Sequence, residues 1–252
     1  MLCASLPVPM QPMKRLRTAS FAGELARVVD SLDVHSRALA QADARRLTSA
    51  GVRSVDGLLQ ALRGSGDTGI PVIACWFVPR VRGIPKAVAV RQLVHLLTDD
   101  SAEARRSAAI ALGEVGSRSA TRSLLKAIVD GDAEVRMALV YALGKLADVR
   151  ARDALLHMLG NLREKPRIRA AAAEALGSLG DRESVPKLAA HLSDRSPEVR
   201  LFCAFALGEL RDPRAIRTLQ RVAGTDHGRV RTYGTVGKAA QSAIEAIRGA
   251  RG

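Results

Sequence analysis

The sequence has few of the residues that build cross-links or large aromatic cores. Its 252 residues include three cysteines, Cys3, Cys75 and Cys203, and only 3% are aromatic. Because the cysteines are odd in number and far apart, neither a disulfide framework nor a zinc site is predicted. Their arrangement favours a reducing compartment, and we expect a cytoplasmic protein. The scarcity of aromatic residues is typical of cores built from alanine and leucine at close helix spacing.

Long apolar runs are also missing. No stretch of eighteen apolar residues occurs, so we predict no membrane-spanning segment and no membrane partner. The first residues place a basic cluster after the apolar part, which is the reverse of a secretory signal. Residues 1–20 contain three prolines and no helical period, and we expect a disordered tail there.

The residue patterns of catalysis and metal binding are absent as well. The five histidines, His35, His95, His157, His191 and His227, are isolated from one another, and none forms a ligand pair. No glycine-rich phosphate loop is predicted, because no strand is expected to precede one. The sequence therefore favours a non-enzymatic protein with no cofactor and no metal.

What the sequence does contain is a repeat. An anchor arginine recurs at intervals of 31, 33, 31 and 31 residues, at Arg105, Arg136, Arg169, Arg200 and Arg231. Aspartate stands six residues before three of these anchors, at Asp99, Asp130 and Asp194, whereas Arg163 and Thr225 occupy that place in the other two units. A period of this length indicates an array of stacked structural units.

The unit between residues 184 and 214 predicts a helix, a turn and a second helix. Apolar residues at spacings of three and four give residues 184–192 one buried stripe. Ser196 is the expected N-cap and Pro197 the first residue of a second helix that ends at Leu210. Glycine follows each of the first four anchors by eight residues, at Gly113, Gly144, Gly177 and Gly208, with Ala239 in the fifth unit. Since glycine weakens a helix interior, we expect these glycines to permit close approach of neighbouring helices.

The pattern Asp-x5-Arg-x5-Ala-Leu-Gly-x-Leu resembles the HEAT repeats, in particular the short bacterial type found in phycobilin lyase subunits. The resemblance covers residues 89–247 and implies an all-α fold, an α-solenoid of stacked helical hairpins whose second helices line a concave face. It also implies a hydrogen-bonded ladder between units, formed by Asp99, Arg105, Asp130, Arg136, Asp194 and Arg200. Arg169 and Arg231 lack the preceding aspartate and are expected to be the free anchors.

Four segments follow from these patterns. After the tail we predict an N-terminal helical cap with a degenerate repeat at residues 21–88, then four repeats at 89–214, and a fifth repeat with a C-terminal cap at 215–252. The cap should contain helices at residues 21–32, 34–49, 55–62 and 70–79. The second helix of the fifth repeat is expected at residues 229–248. Terminal units of such arrays commonly differ from the internal ones because they must cover an open apolar face.

The second helices offer a surface for a partner. If positions three, four, six, seven and ten after each anchor are buried, positions one, five and nine lie on the opposite face. Position five is apolar in four units and is Glu174 in the third. The residues predicted to form a protein-binding or peptide-binding strip are Ile110, Met137, Tyr141, Leu201, Phe205 and Val236, with Phe202 and Tyr233 beside them. Packing against the next helix is the alternative role for this strip. The function we predict is a scaffold or adaptor that binds a protein or peptide there.

Charge leaves a second interpretation open. The formal net charge is +14, which favours nucleic acid or an acidic protein surface as a partner. The excess is +6 in residues 1–88, +3 in residues 89–214 and +5 in residues 215–252, so any nucleic acid is expected at the basic ends. Two further alternatives come from related repeat proteins: a glycosylase that excises alkylated bases, and a lyase-like subunit acting with a partner. Relatives that hydroxylate a modified lysine carry repeated His-Glu dipeptides, and this chain contains none.

Overall fold

The structure, a computed structural model, describes residues 34–64, 70–79 and 84–249, together with Gly23, Leu25 and Asp30. The expected tail at residues 1–20 and nearly all of the expected helix at 21–32 lie outside the described residues. By its internal contacts the chain divides into two compact units, Met1–Ser123 and Leu124–Gly252. We refer to them as unit 1 and unit 2.

Unit 1 is helical throughout its described part. Its helices are α1 (Val34–Ser49), α2 (Val55–Gly64), α3 (Ile70–Phe77), α4 (Lys86–His95) and α5 (Ala102–Val115). Helix α3 packs against α1 and α2, and α5 packs against α3 and α4. These bounds confirm the helices predicted at residues 34–49, 55–62 and 70–79 to within two residues at each end.

Unit 2 contains the later hairpins. Helix α6 (Thr121–Ala127) begins at the end of unit 1, and the chain continues through α7 (Ala133–Leu146), α8 (Arg152–Gly160), α9 (Pro166–Leu179), α10 (Val185–Ala190), α11 (Pro197–Leu210), α12 (Ile216–Thr225) and α13 (Val236–Gly249). The second helices α7, α9, α11 and α13 pack side by side in that order. Helix α11 therefore has the bounds that its proline and apolar period predicted. The all-α class and the stacked hairpins are confirmed.

The helix ends follow local chemistry. The side chains of Asp148, Asp181 and Asp212 each accept a hydrogen bond from the backbone N–H two residues on, at 2.9–3.1 Å, and start a short 3₁₀ turn that leads into the next first helix. Second helices α9 and α11 begin at Pro166 and Pro197, where the missing N–H has no cost. Ser196 occupies the N-cap position as predicted, but its side chain makes no capping hydrogen bond.

Close helix packing explains the repeated glycines of unit 2. A Cβ on Gly144 would lie 3.0 Å from the Cβ of Ala175, and a Cβ on Gly208 would lie 3.0 Å from the Cα of Ala243. Gly177 faces Ala206 of the following helix in the same way. The prediction that these glycines permit close approach is confirmed for all three. Each glycine contacts an alanine of the next second helix, so the alanine is as regular a part of the motif as the glycine.

The fifth hairpin differs from its prediction. Residues 229–235 form two short antiparallel strands, Arg229–Val230 and Gly234–Thr235, and α13 begins only at Val236. Ala243, which packs on Gly208, is 37 residues beyond Ala206, whereas Ala206 is 31 beyond Ala175. The strand pair thus shifts the register by six residues. Arg231 and Ala239 are therefore not the structural equivalents of the earlier anchors and glycines, and the helix predicted at 229–248 was wrong at its start.

No helix among the described residues combines the length and the apolar character that crossing a membrane requires.

Candidate functional site

Ion pairs join the turns of successive hairpins in unit 2. These turns connect the first helix of each hairpin to the second. Arg136 donates to both carboxylate oxygens of Glu164, at 2.5 and 3.0 Å, and Arg200 donates to both oxygens of Asp226, at 2.6 and 3.0 Å. Arg169 makes the corresponding pair with Asp194. Each arginine also donates to a backbone carbonyl of its own hairpin: Asp130 and Gly131 for Arg136, Leu159 for Arg169, and Asp194 and Arg195 for Arg200.

These contacts correct the expectation that Arg169 is free. Arg169 is 4% exposed and binds Asp194 and the carbonyl oxygen of Leu159, at 2.9 Å for the latter. In the third and fifth hairpins the carboxylate stands one residue later than expected, at Glu164 rather than Arg163 and at Asp226 rather than Thr225. In each of these pairs the carboxylate comes from the following hairpin. An anchor arginine whose own hairpin lacks the aspartate therefore still has an acidic partner.

The aspartates predicted for the ladder also bind the backbone of their own turns. Asp99, Asp130 and Asp194 each accept a hydrogen bond at 2.9 Å from the backbone N–H two residues on. In unit 1, Arg105 donates to the carbonyl oxygens of Asp99 and Asp100, at 2.8 and 3.0 Å. Arg231 is exposed in the turn between the two strands, and the described contacts give its side chain no hydrogen bond or ion pair.

The structure separates the predicted strip into accessible and buried residues. In unit 2, Met137, Tyr141 and Phe205 are half-buried, whereas Leu201 and Val236 are fully buried and have no surface to offer a partner. Val236 is buried because the register shift makes it the first residue of α13, where its N–H donates to Gly228 at 2.9 Å. Ile110, in unit 1, is half-buried on α5.

An aromatic cluster supports Phe205. The rings of Phe205, Phe202 and Tyr233 meet edge to face, with centroid distances of 5.2 to 6.5 Å. Phe202 is buried and Tyr233 half-buried, so Phe202 serves as packing and the other two rings keep exposed area. Tyr233 is placed by the strand pair, which the sequence pattern did not reveal.

Two carboxylates complete this surface. Glu174 lies on α9 at the same position that Tyr141 holds on α7 and Phe205 on α11, and α9 packs between those two helices. Glu209 leans from α11 over α9, with its Oε2 2.5 Å from where a Cβ on Gly177 would stand. Burial raises the pKa of Glu174. The pKa of Glu209 is raised by burial and, secondarily, by the charge of Glu174. We call Met137, Tyr141, Glu174, Phe205, Glu209 and Tyr233 the second-helix face of unit 2.

The part of the chain that the structure describes contains no candidate metal site. No group of three or more histidine, cysteine, aspartate or glutamate side chains there could hold an ion. Cys75 and Cys203 are buried and free, and burial raises the pKa of each thiol well above its ordinary value. A thiol in that environment is a poor nucleophile.

Comparison with known proteins gives the family. The family model for HEAT repeats matches residues 90–164 and 161–236. One curated relative, deoxyhypusine hydroxylase-B of Oryza sativa subsp. japonica, is 43% identical over 65 residues, which are 26% of this chain and 22% of the relative. The chain thus spans about a fifth of that relative's length.

Solved structures share the fold. The complex of CpcE and CpcF of phycocyanin lyase from Nostoc sp. PCC7120 matches with a TM-score of 0.55 and 26% identity, covering 68% of this chain and 70% of that one. A designed armadillo repeat protein matches with a TM-score of 0.50 and 17% identity, covering 77% of this chain and 100% of that one. With the family model matching more than half of its residues, the chain belongs to the HEAT-repeat family.

Proposed function

We propose that the protein is a non-enzymatic scaffold that binds a protein or peptide segment on the second-helix face of unit 2. The observation that carries the proposal is the row formed by Tyr141, Glu174 and Phe205, which hold equivalent positions on three adjacent helices. The core of unit 2 is built mainly from alanine and leucine, and the rings of Tyr141, Phe205 and Tyr233 at its edge keep part of their area exposed. Aromatic side chains with an apolar body and open area are typical anchors of protein interfaces.

The charges of the face restrict the partner. Glu174 lies between the two ring positions and is half-buried, and Glu209 is exposed but reaches over the same helix; partial burial raises the pKa of both carboxylates. A cationic side chain from a partner would relieve this cost, and the neighbouring rings would favour it further through cation–π contact. We therefore expect a segment in which lysine or arginine alternates with apolar residues.

A paired mode of action also has support. The similar phycocyanin lyase structure is a complex of two chains, CpcE and CpcF. This likeness favours a macromolecular partner for the present chain, while the residues of the second-helix face define where that partner would bind.

Selection of random peptides displayed on phage against the immobilised chain tests the proposal. Selected peptides should be enriched in lysine or arginine. Their affinity, measured by fluorescence anisotropy, should fall at least tenfold for Tyr141→Ser and for the double variant Glu174→Gln with Glu209→Gln, which corresponds to about 1.4 kcal/mol or more.

The control removes apolar surface elsewhere. Val129 and Leu162 are 84% and 73% exposed in the turns of unit 2, away from the second-helix face. Val129→Ser with Leu162→Ser should leave peptide affinity unchanged. If the selection yields no peptide above background, or if the selected peptides bind all variants equally, the proposal is wrong.

A further inference from the structure

The three ion pairs between hairpins, Arg136–Glu164, Arg169–Asp194 and Arg200–Asp226, form the observed ladder and affect the surface charge of unit 2. Glu164, Asp194 and Asp226 lie in three successive turns, and each carboxylate is turned inward to an anchor arginine of the preceding hairpin. Their side chains are only 4%, 5% and 14% exposed. These three negative charges are therefore paired with arginines in the interior and contribute little to the charge of the surface.

The positive charges of the same turns remain outside. Segments 161–167, 193–198 and 226–233 carry six cationic side chains that are all exposed and that take part in no ion pair or side-chain hydrogen bond among the described residues. They are Arg163, Lys165, Arg167, Arg195, Arg229 and Arg231, and we call them the basic turn edge. Glu198, which is half-buried, is the one further carboxylate in these segments.

The ion pairs between hairpins place the three turns that carry these cations next to one another. The pair of Arg169 with Asp194 joins the first segment to the second, and the pair of Arg200 with Asp226 joins the second to the third. With helices roughly 8–10 Å apart, three neighbouring turns span on the order of 20 Å. The phosphates of one DNA strand advance about 3.4 Å per nucleotide, so a row of this length faces about six nucleotides.

We propose that the basic turn edge binds the phosphate backbone of a nucleic acid without reading its sequence. Five of the six cations are arginines, whose planar guanidinium groups match phosphate oxygens in bidentate geometry. The edge offers cations at the spacing of consecutive hairpins and little neutralising charge, which is the electrostatic footprint of backbone binding. The basic turn edge shares no residue with the second-helix face, and its binding does not depend on the function proposed for that face.

The near balance of charge in residues 89–214 conceals this surface. The count gives every charge equal weight, although Glu164 and Asp194 are buried in ion pairs with Arg136 and Arg169 and the unpaired cations of the same turns are exposed. Nucleic acid was expected at the basic ends of the chain, whereas four of these six exposed cations lie within residues 89–214, in the turns of the third and fourth hairpins, and two lie in the C-terminal segment.

The test uses two variants of the full chain that remove the same charge. The edge variant combines Lys165→Gln, Arg195→Gln and Arg231→Gln, one cation from each turn. The control variant combines Lys187→Gln, Arg217→Gln and Arg221→Gln, whose side chains are exposed on first helices α10 and α12 and form no hydrogen bond or ion pair with the described residues. Neither variant touches the ladder, so equal circular dichroism spectra and melting temperatures are expected for both.

Binding is measured by fluorescence anisotropy with a labelled DNA duplex and a labelled single strand of about 20 nucleotides, over a series of salt concentrations. The unmodified chain should bind both probes, with affinity that falls steeply as salt rises. The edge variant should bind at least tenfold more weakly at low salt and lose about three from the duplex salt slope, since each phosphate contact contributes about 0.9. The control variant should lose less than threefold.

Two results would overturn the proposal. Equal losses in the edge and control variants would show that overall net charge, and not the basic turn edge, governs binding. Binding of labelled polyglutamate with no binding of either oligonucleotide would show that the edge receives an acidic protein instead of nucleic acid.

Discussion

Gly177 and Ala206 lie so close that a Cβ added to the glycine would stand 2.9 Å from the Cα of the alanine. The two residues belong to α9 and α11, and the same glycine-to-alanine contact recurs between α7 and α9 and between α11 and α13. The glycine of each repeat is therefore a spacing device for the next hairpin, and it brings the carboxylate of Glu209 over α9.

Gly177→Ala is expected to lower the free energy of unfolding by about 1–3 kcal/mol, because overpacking forces the helices apart. The matched control is Gly224→Ala, also within a helix, where an added Cβ would meet nothing within 4 Å. That variant should gain up to about 1 kcal/mol from higher helix propensity. Urea unfolding measures both, and a stabilised Gly177→Ala would contradict the packing account.

Arg169→Met should destabilise unit 2 by about 3–5 kcal/mol, because it leaves the carboxylate of Asp194 buried without its cation. The side chains of Arg169 and Asp194 are each 5% exposed. Arg167→Met, two residues earlier on the same helix and exposed, should change the free energy of unfolding by less than about 0.5 kcal/mol. Similar losses from the two changes would show that the ion pair contributes no more than a surface arginine.

The ladder should also set the response to acid. Hydrogen bonding by Arg200 lowers the pKa of Asp226, and hydrogen bonding by Arg136 lowers the pKa of Glu164. A carboxylate whose pKa is lowered in the folded state stabilises the fold above its unfolded value, about 4 for these groups, and loses this contribution as the pH falls through its folded value.

Arg200→Gln removes the cause of the shift on Asp226. At pH 7 we expect this variant to be about 1.5–3 kcal/mol less stable than the unmodified chain, which is the range for hydrogen bonds to charged groups. The difference should shrink as the pH is lowered from 5 toward 3 in urea unfolding experiments. A difference that is constant with pH would show that Asp226 does not depend on Arg200 for its ionisation.

The second-helix face should respond to pH in the opposite direction. The pKa of Glu209 is raised in the folded chain, so its ionisation reduces stability as the pH rises from the unfolded value toward the folded one. Glu209→Gln is therefore expected to raise the melting temperature at pH 7. The gain in the free energy of unfolding should be less than about 1 kcal/mol, because the side chain is partly solvated. The gain should vanish as the pH falls well below the unfolded value of about 4, where both states are protonated.

Glu174→Gln provides the control for this effect. Since the charge of Glu174 contributes to the raised pKa of Glu209, the benefit of Glu209→Gln should be smaller when Glu174 has already been replaced. Equal benefits in the two backgrounds would show that the carboxylates act independently. Such a result would also weaken the case for a shared cationic ligand.

Sequence reasoning was accurate where the signal was local and repeated. The period of the anchors and the Ala-Leu-Gly spacing predicted stacked hairpins, and Pro197 with its apolar period predicted the bounds of α11. It failed in the fifth hairpin because the strand pair at residues 229–235 shifts the register by six residues without interrupting the interval to Arg231. The interval of 31 residues between Arg200 and Arg231 is the same whether the residues after Arg229 form a helix or a strand pair, so the interval alone does not reveal the change.

By itself, the sequence determined the repeat, the all-α class and the close packing at its glycines, because each depends on residues at fixed separations within or between adjacent hairpins. Only the tertiary structure decided which carboxylate each anchor arginine binds, since Glu164, Asp194 and Asp226 come from the next hairpin and stand at variable distances along the chain. The same contacts decided which charges reach the surface. Ion pairs between hairpins bury these acids together with their anchor arginines, while the other cations of the same turns stay exposed, and a count of residues cannot distinguish buried charges from exposed ones.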